Sequence, residues 1–175
     1  GLSEGDILWT SPNSYVASAN VGLLCNAEVD FVDIDSETYN MCTTALSMKL
    51  RAAEKNGKLP KIVMPVHFAG QSCDMINIKK LSDEYGFKII EDASHAIGGI
   101  YKNTKIGSCK FSDITVFSFH PVKIITTAEG GCAVTNDENI FEKLKLLSSH
   151  GVTRNPKNMV KKTSDKWVYD QISIG

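Results

Sequence analysis

The chain has 175 residues, enough for one domain with a sizeable core, and its 42% hydrophobic and 22% charged content is that of a globular protein. A formal net charge of −1, with lysines spread along the chain, excludes a general nucleic-acid or membrane-surface binder. The five cysteines (Cys25, Cys42, Cys73, Cys109 and Cys132) are odd in number and hold no C-x-x-C pair, so they read as free thiols of a reducing cytoplasm and not as a metal site or disulfide framework.

In chain order, residues 6–10 read as a short strand. Residues 13–25 read as a helix with Asn13 or Ser14 as N-cap and Val16, Ala19 and Leu23 on one face. Residues 29–34 read as a strand, with Asp33 and Asp35 shaping the turn that follows. The spacing of Leu46, Leu50 and Ala53 predicts a helix over 43–55, stopped by Asn56-Gly57. Next come a strand over 61–66, a helix over 74–85 capped by Asp74 and stopped by Gly86, and a strand over 87–91. Residues 113–119 and 131–135 read as strands with no helix between them. Asn136 or Asp137 then caps a helix carrying Ile140, Phe141, Leu144 and Leu147. The alternation predicts an α/β fold, a mostly parallel sheet with helices on both faces. Residues 151–175 are polar and irregular and read as a loop or linker, with Lys161 and Lys162 on a solvated surface. No apolar run approaches the ~20 residues that span a bilayer, and no signal-peptide pattern opens the chain. With no initiating Met and no closing element, the chain reads as an internal piece of a larger protein.

In open α/β sheets ligands bind beyond the carboxyl ends of the strands. That rule selects Asn13, Ser14 and Tyr15, then Asp33 and Asp35, His67, Asp92 and His95, and finally Ser118, His120 and Lys123. Rival motifs are missing from the sequence: no G-x-x-x-x-G-K-[ST], no G-x-G-x-x-G, no H-E-x-x-H and no G-x-S-x-G. On composition alone Lys123 reads as a surface lysine, while Asp92 reads equally as an Asx-turn or helix-capping carboxylate and as a site residue, and Tyr15 equally as a core aromatic and as a site residue.

Two segments change that reading. Glu91-Asp92-Ala93-Ser94-His95 ends a strand, and Ser118-Phe119-His120-Pro121-Val122-Lys123 ends another. Together they resemble the DegT-type sugar aminotransferases, whose patterns are E-D-A-x-[HQ] and S-F-[HN]-x-x-K. The likeness continues through residues 10–15, 31–35, 65–71, 129–131 and 149–151, covering almost the whole chain in order. The S-F-H-P-V-K and H-F-A-G-Q spellings are similar to the pseudaminic-acid branch of that family.

The resemblance implies the large domain of a fold-type-I, aspartate-aminotransferase-like enzyme over residues 1–150, which uses pyridoxal 5'-phosphate (PLP). It makes Lys123 the lysine that carries the cofactor as a Schiff base and later shuttles a proton. Asp92 would hold the pyridinium nitrogen protonated. His95 would touch the ring near its phenolic oxygen, Tyr15 would stack on its face, and Ser118 would bond its phosphate. His120 and Tyr15 would flank the substrate, with His67 and Gln71 one layer behind. Implied partners are glutamate as donor, a UDP-linked 4-keto-6-deoxy-N-acetylhexosamine as acceptor, and a second copy of the chain in a homodimer with shared active sites. Another nucleotide sugar of the same family and a non-enzymatic PLP-domain regulator are the alternatives. The lysine argues against the family's dehydratases, which carry histidine there. Ala128 departs from the family's usual glycine and predicts a stiffer 128–131 loop. The family's upstream phosphate-binding turn and its downstream N-Y-R stretch are not in this sequence.

Overall fold

The computed structural model describes residues 1–160, 165 and 167–174. The expectation for Lys161 and Lys162 lies outside the described residues. The chain divides into two compact units, Gly1–Thr135 and Asn136–Gly175.

The first unit is built on a six-stranded sheet. In chain order its elements are β1 (Ile7–Thr10), α1 (Ala17–Leu24), β2 (Glu28–Phe31), α2 (Thr43–Lys55), β3 (Ile62–Met64), a 3-10 turn (Phe68–Gly70), α3 (Met75–Tyr85), β4 (Lys88–Asp92), β5 (Ile100–Tyr101), β6 (Thr104–Lys105), β7 (Ile114–Ser118) and β8 (Gly131–Val134). The strand order is β2-β1-β3-β4-β7-β8. All neighbours pair in parallel except β7 with β8, which pair antiparallel. The chain leaves β1 to place β2 on one side and returns to place β3 on the other, so the direction of winding reverses between β1 and β3. That reversal opens a crevice at the strands' carboxyl ends.

Alternation along β1 explains the two layers. Trp9 points to one face, where it packs with Val63 and Ile89 of the sheet, Leu46, Leu50 and Ala53 of α2, and Met75 and Ile78 of α3. Leu8 points to the other face, toward α1. The α2 pattern and its bounds are those the sequence predicts, and α3 ends at Gly86 in a left-handed conformation, φ 81°. Asp74 holds the N-cap position of α3, but its carboxylate binds Asn77 and Tyr101 instead of a backbone N–H.

The first helix departs from expectation. It starts at Ala17, with Val16 at its N-cap and no side-chain cap. Its buried residues are Ser18 and Gly22, while Val16 and Leu23 are exposed. The reason is close approach: a Cβ built on Gly22 would lie 2.6 Å from Val29 Cγ2. The helix backbone rests on the sheet through small residues, and its large apolar side chains face outward. The β5–β6 hairpin was not anticipated either. Two residues per strand are too few for a period to register.

The second unit contains α4 (Glu138–Leu147) and a two-stranded antiparallel pair, β9 (Val152–Thr153) and β10 (Asp170–Gln171). Asp137 caps α4 as predicted, its Oδ1 accepting from Asn139 N at 2.8 Å and Ile140 N at 3.0 Å. The β9–β10 pair shows regular structure within the segment read as irregular. Among the described residues no helix is long and apolar enough to cross a membrane.

Candidate active site

Four strand ends converge on one cavity of about 580 Å³. Beyond β1 stand Asn13, Ser14 and Tyr15; beyond β3, Val66 and Phe68; at the end of β4, Asp92, Ser94 and His95; at the end of β7, Ser118, followed by His120, Val122 and Lys123. The six residues that the resemblance places against the cofactor or substrate line the same space: Tyr15, Asp92, His95, Ser118, His120 and Lys123. Asp33, Asp35, His67 and Gln71 do not line it. Asp35 instead closes its own turn, with Oδ1 accepting from Glu37 N, Thr38 N and Thr38 Oγ1.

The Asp92 carboxylate is half-buried and held at both oxygens. Oδ1 accepts from the backbone N–H of Ser94 at 3.1 Å, and Oδ2 from the Ser18 hydroxyl at 2.9 Å. Its main chain is zipped to the end of β3, with Asp92 N donating to Pro65 O at 2.9 Å and Asp92 O accepting from His67 N at 3.0 Å. Each carboxylate oxygen keeps an acceptor site open.

Behind Asp92 lies a buried polar group that anchors the same strand ends. His67 Nδ1 accepts from Cys73 N at 3.1 Å, so the ring proton sits on Nε2 and is donated to Glu91 Oε2 at 2.7 Å. Glu91 Oε1 accepts from Thr115 Oγ1 at 3.1 Å and from the Ser112 hydroxyl. Burial pushes the Glu91 carboxyl up, but the hydrogen bonds from His67, Ser112 and Thr115 outweigh it and hold the group below its ordinary value. Cys73, sealed in the same layer, has its thiol pushed up to about 12, chiefly by burial.

The loop over 67–71 is fixed by Asn40, 3% exposed, which accepts from Phe68 N at 2.9 Å and donates to Gln71 O and Ser72 O. Gly70 has φ 88°, and a Cβ there would meet His95 O at 2.9 Å. Only glycine lets this loop lie against the 93–95 turn. The contact places Phe68 edge-on to His95, ring centroids 6.5 Å apart.

Lys123 is half-buried and follows a tight turn, its N–H donating to His120 O at 2.9 Å. Among the described residues its ammonium makes no hydrogen bond or ion pair. His120 accepts from Val122 N through Nδ1 at 3.3 Å, and its Nε2 lies 4.0 Å from Glu129 Oε1. Tyr15 is 78% exposed, which removes the core-aromatic reading and leaves its ring at the cavity wall. Ser118 Oγ accepts from His120 N at 3.4 Å. The sequence reading missed Ser18, Ser94, Phe68 and Glu129 as members of this cluster. For Ser18 a signal was present: it lies four residues after Ser14, the spacing of one helical face.

The DegT/DnrJ/EryC1/StrS aminotransferase family matches residues 1–169. The chain belongs to this family. It is 40% identical over 154 residues to the UDP-4-amino-4,6-dideoxy-N-acetyl-beta-L-altrosamine transaminase of Campylobacter jejuni subsp. jejuni serotype O:2, covering 88% of this chain and 39% of that protein. It is 37% identical over 155 residues to the GDP-perosamine synthase of Caulobacter vibrioides, covering 89% and 40%. Among solved structures it resembles Helicobacter pylori PseC, an aminotransferase involved in the biosynthesis of pseudoaminic acid, at 34% identity and TM-score 0.83, covering 98% of this chain and 42% of that one. The chain spans about two-fifths of the length of these relatives. Its sheet and helices are those of the fold-type-I large domain.

The chain is also similar to a Streptococcus pneumoniae structure described as the PLP form of a sugar aminotransferase, at 29% identity and TM-score 0.78, covering 99% of this chain and 45% of that one. The donor set here fits such a group. An amine, a carboxylate with open acceptor sites, a hydroxyl at a strand end and an exposed aromatic residue all border one cavity of suitable size.

Proposed function

We propose that the chain is the central part of the cofactor-binding large domain of a PLP-dependent sugar aminotransferase, with residues 151–175 leading toward the rest of the protein. The observation that carries this reading is the meeting of Lys123 and Asp92, 31 positions apart in sequence, on one cavity at the winding reversal of the sheet.

When bound, PLP supplies an electron sink that stabilises the carbanion formed at the donor's α-carbon. Lys123 would tether the cofactor through Nζ. The same Nζ, when free, would be the base that removes the donor's α-proton. Asp92 would hold a proton on the ring nitrogen through a carboxylate oriented by Ser94 N and Ser18 Oγ. Tyr15 would cover one ring face, Ser118 would bind the phosphate, and His95 would sit beside the ring. His120 would face the substrate.

We infer glutamate as donor and a UDP-linked 4-keto-6-deoxy-N-acetylhexosamine as acceptor. The likeness to the altrosamine transaminase and to PseC supports this choice. The likeness to a GDP-perosamine synthase favours a GDP-linked keto sugar as the second reading. A second copy of the chain would cover the outward apolar side chains of α1, among them Leu24 at 84% exposure, together with Val122 and Ile124 next to Lys123.

The test is a panel of UDP-, GDP- and dTDP-linked keto sugars offered to the full-length protein with glutamate. Amino-sugar formation from the UDP-linked 4-keto-6-deoxy-N-acetylhexosamine is expected. Preference for a GDP- or dTDP-linked sugar removes the branch assignment. Turnover of simple 2-oxo acids alone removes the sugar-specific reading.

A further inference from the structure

We propose that Ser18 is a positioning residue for Asp92, and that Ser14 feeds it through a one-way chain of hydroxyls. The inference rests on the cofactor reading above and adds to it the element that sets the carboxylate's orientation.

Ser18 lies on α1 and is only 6% exposed, so its hydroxyl must find its partners inside the protein. It stands 2.9 Å from Asp92 Oδ2 and 2.8 Å from Ser14 Oγ. An ionised carboxylate only accepts hydrogen bonds, and a serine has one proton to give. The Ser18 proton is therefore committed to Asp92, and the remaining contact runs the other way, from the Ser14 hydroxyl to Ser18 Oγ. Polarity thus passes in one direction, from Ser14 at the cavity wall to the carboxylate. Each donor strengthens the next.

The consequence is rotational. The backbone of Asp92 is fixed by its bridge to Val66, but that bridge leaves the carboxylate plane free to turn. Among the described residues two donors hold the carboxylate. Ser94 N holds Oδ1 from within the same turn, and Ser18 Oγ holds Oδ2 from a different element. Ser18 is therefore the contact that locks the plane relative to the sheet, leaving open acceptor sites toward the cavity. Close seating of α1 makes this possible. A Cβ on Gly22, one helical turn after Ser18, would clash with Val29, so only a helix with small inward residues approaches near enough for a serine to reach Asp92.

The experiment uses the full-length protein loaded with PLP labelled with 15N in the ring, in the wild type and in Ser18→Ala, Ser18→Thr, Ser14→Ala and the double alanine variant. Three quantities are read: the ring-nitrogen signal, and kcat and KM of the glutamate half-reaction. In Ser18→Ala the ring-nitrogen signal moves and kcat falls about tenfold while the glutamate KM stays within about twofold. Ser18→Thr restores both. Ser14→Ala shifts the signal in the same direction by less and has no further effect once Ser18 is alanine. Ser14 packs less deeply, so Ser14→Ala reports on the chain of hydroxyls even if Ser18→Ala does not fold. A wild type that does not load PLP on Lys123 overturns both this inference and the cofactor reading. Normal loading with an unmoved signal in Ser18→Ala, no rescue by threonine, or independent additive effects of the two serines overturns the positioning role alone.

Discussion

Asp92 and Glu91 are adjacent carboxylates with opposite surroundings. Asp92 turns to the cavity with acceptor sites open, whereas Glu91 turns inward and spends its oxygens on His67, Ser112 and Thr115. Alternation along β4 assigns the two roles. Asp92→Asn in the full-length protein is expected to retain cofactor and lose at least tenfold in kcat, because an amide does not hold the pyridinium proton. A change of only a few-fold, under ~1 kcal/mol, would make Asp92 a turn residue. Glu91 governs stability. Its folded-state carboxyl is held below the unfolded value of about 4.3, so its contribution is fully present above that pH and is lost as pH falls through the folded value. Glu91→Gln should cost ~2 kcal/mol at pH 7 and flatten the acid loss of stability, measured by denaturant midpoints between pH 7 and 3. Cys73 belongs to the same sealed layer, and thiol labelling of the native protein should spare it while half-buried Cys25, Cys42 and Cys132 react. At this scale the sequence motif brought Lys123, Asp92 and Ser118 into view because their chemistry is spelled in short runs. The Ser18–Asp92 and His67–Glu91 pairs are separated by 74 and 24 positions, and no local pattern links them.

Among the elements, α2 was fully legible. Leu46, Leu50 and Ala53 recur at helical spacing and all three are buried against the sheet. The first helix was not, because α1 buries Ser18 and Gly22, and a hydrophobic-period reading chooses its large residues instead. Its Leu23 and Leu24 face outward for the same reason. The loop before β8 carries a further test. Ala128 has φ 67°, a left-handed conformation that costs an alanine ~1 kcal/mol, and it stands where relatives of this type were expected to have glycine. Ala128→Gly should relieve that strain and raise stability by up to ~1 kcal/mol, read as a higher thermal midpoint; an unchanged or lower midpoint would show that the loop bears no such strain. The preceding Thr127 Oγ1, which donates to Glu129 O at 2.9 Å, shows how tightly the turn is drawn.

At the scale of the molecule, the parallel order of the sheet was readable from the alternation of elements, and the position of the site followed from it. Winding reverses between β1 and β3, and the cavity opens there. The antiparallel β8 and the two small strand pairs were not readable as pairings, since nothing in a single strand states its neighbour. The outward apolar side chains on α1 and around Val122 are expected to make the 175-residue chain self-associate when isolated. A sharp cooperative melt of a monomer in sedimentation and calorimetry would contradict that expectation. Lys123 is proposed as the amine that holds the cofactor, and this assignment is checked by loading the full-length protein with PLP, reducing it with borohydride, and mapping the modified peptide by mass spectrometry. A pyridoxyl mass is expected on Lys123 alone, absent from Lys123→Ala. Modification of another lysine, or equal labelling of the alanine variant, would contradict it.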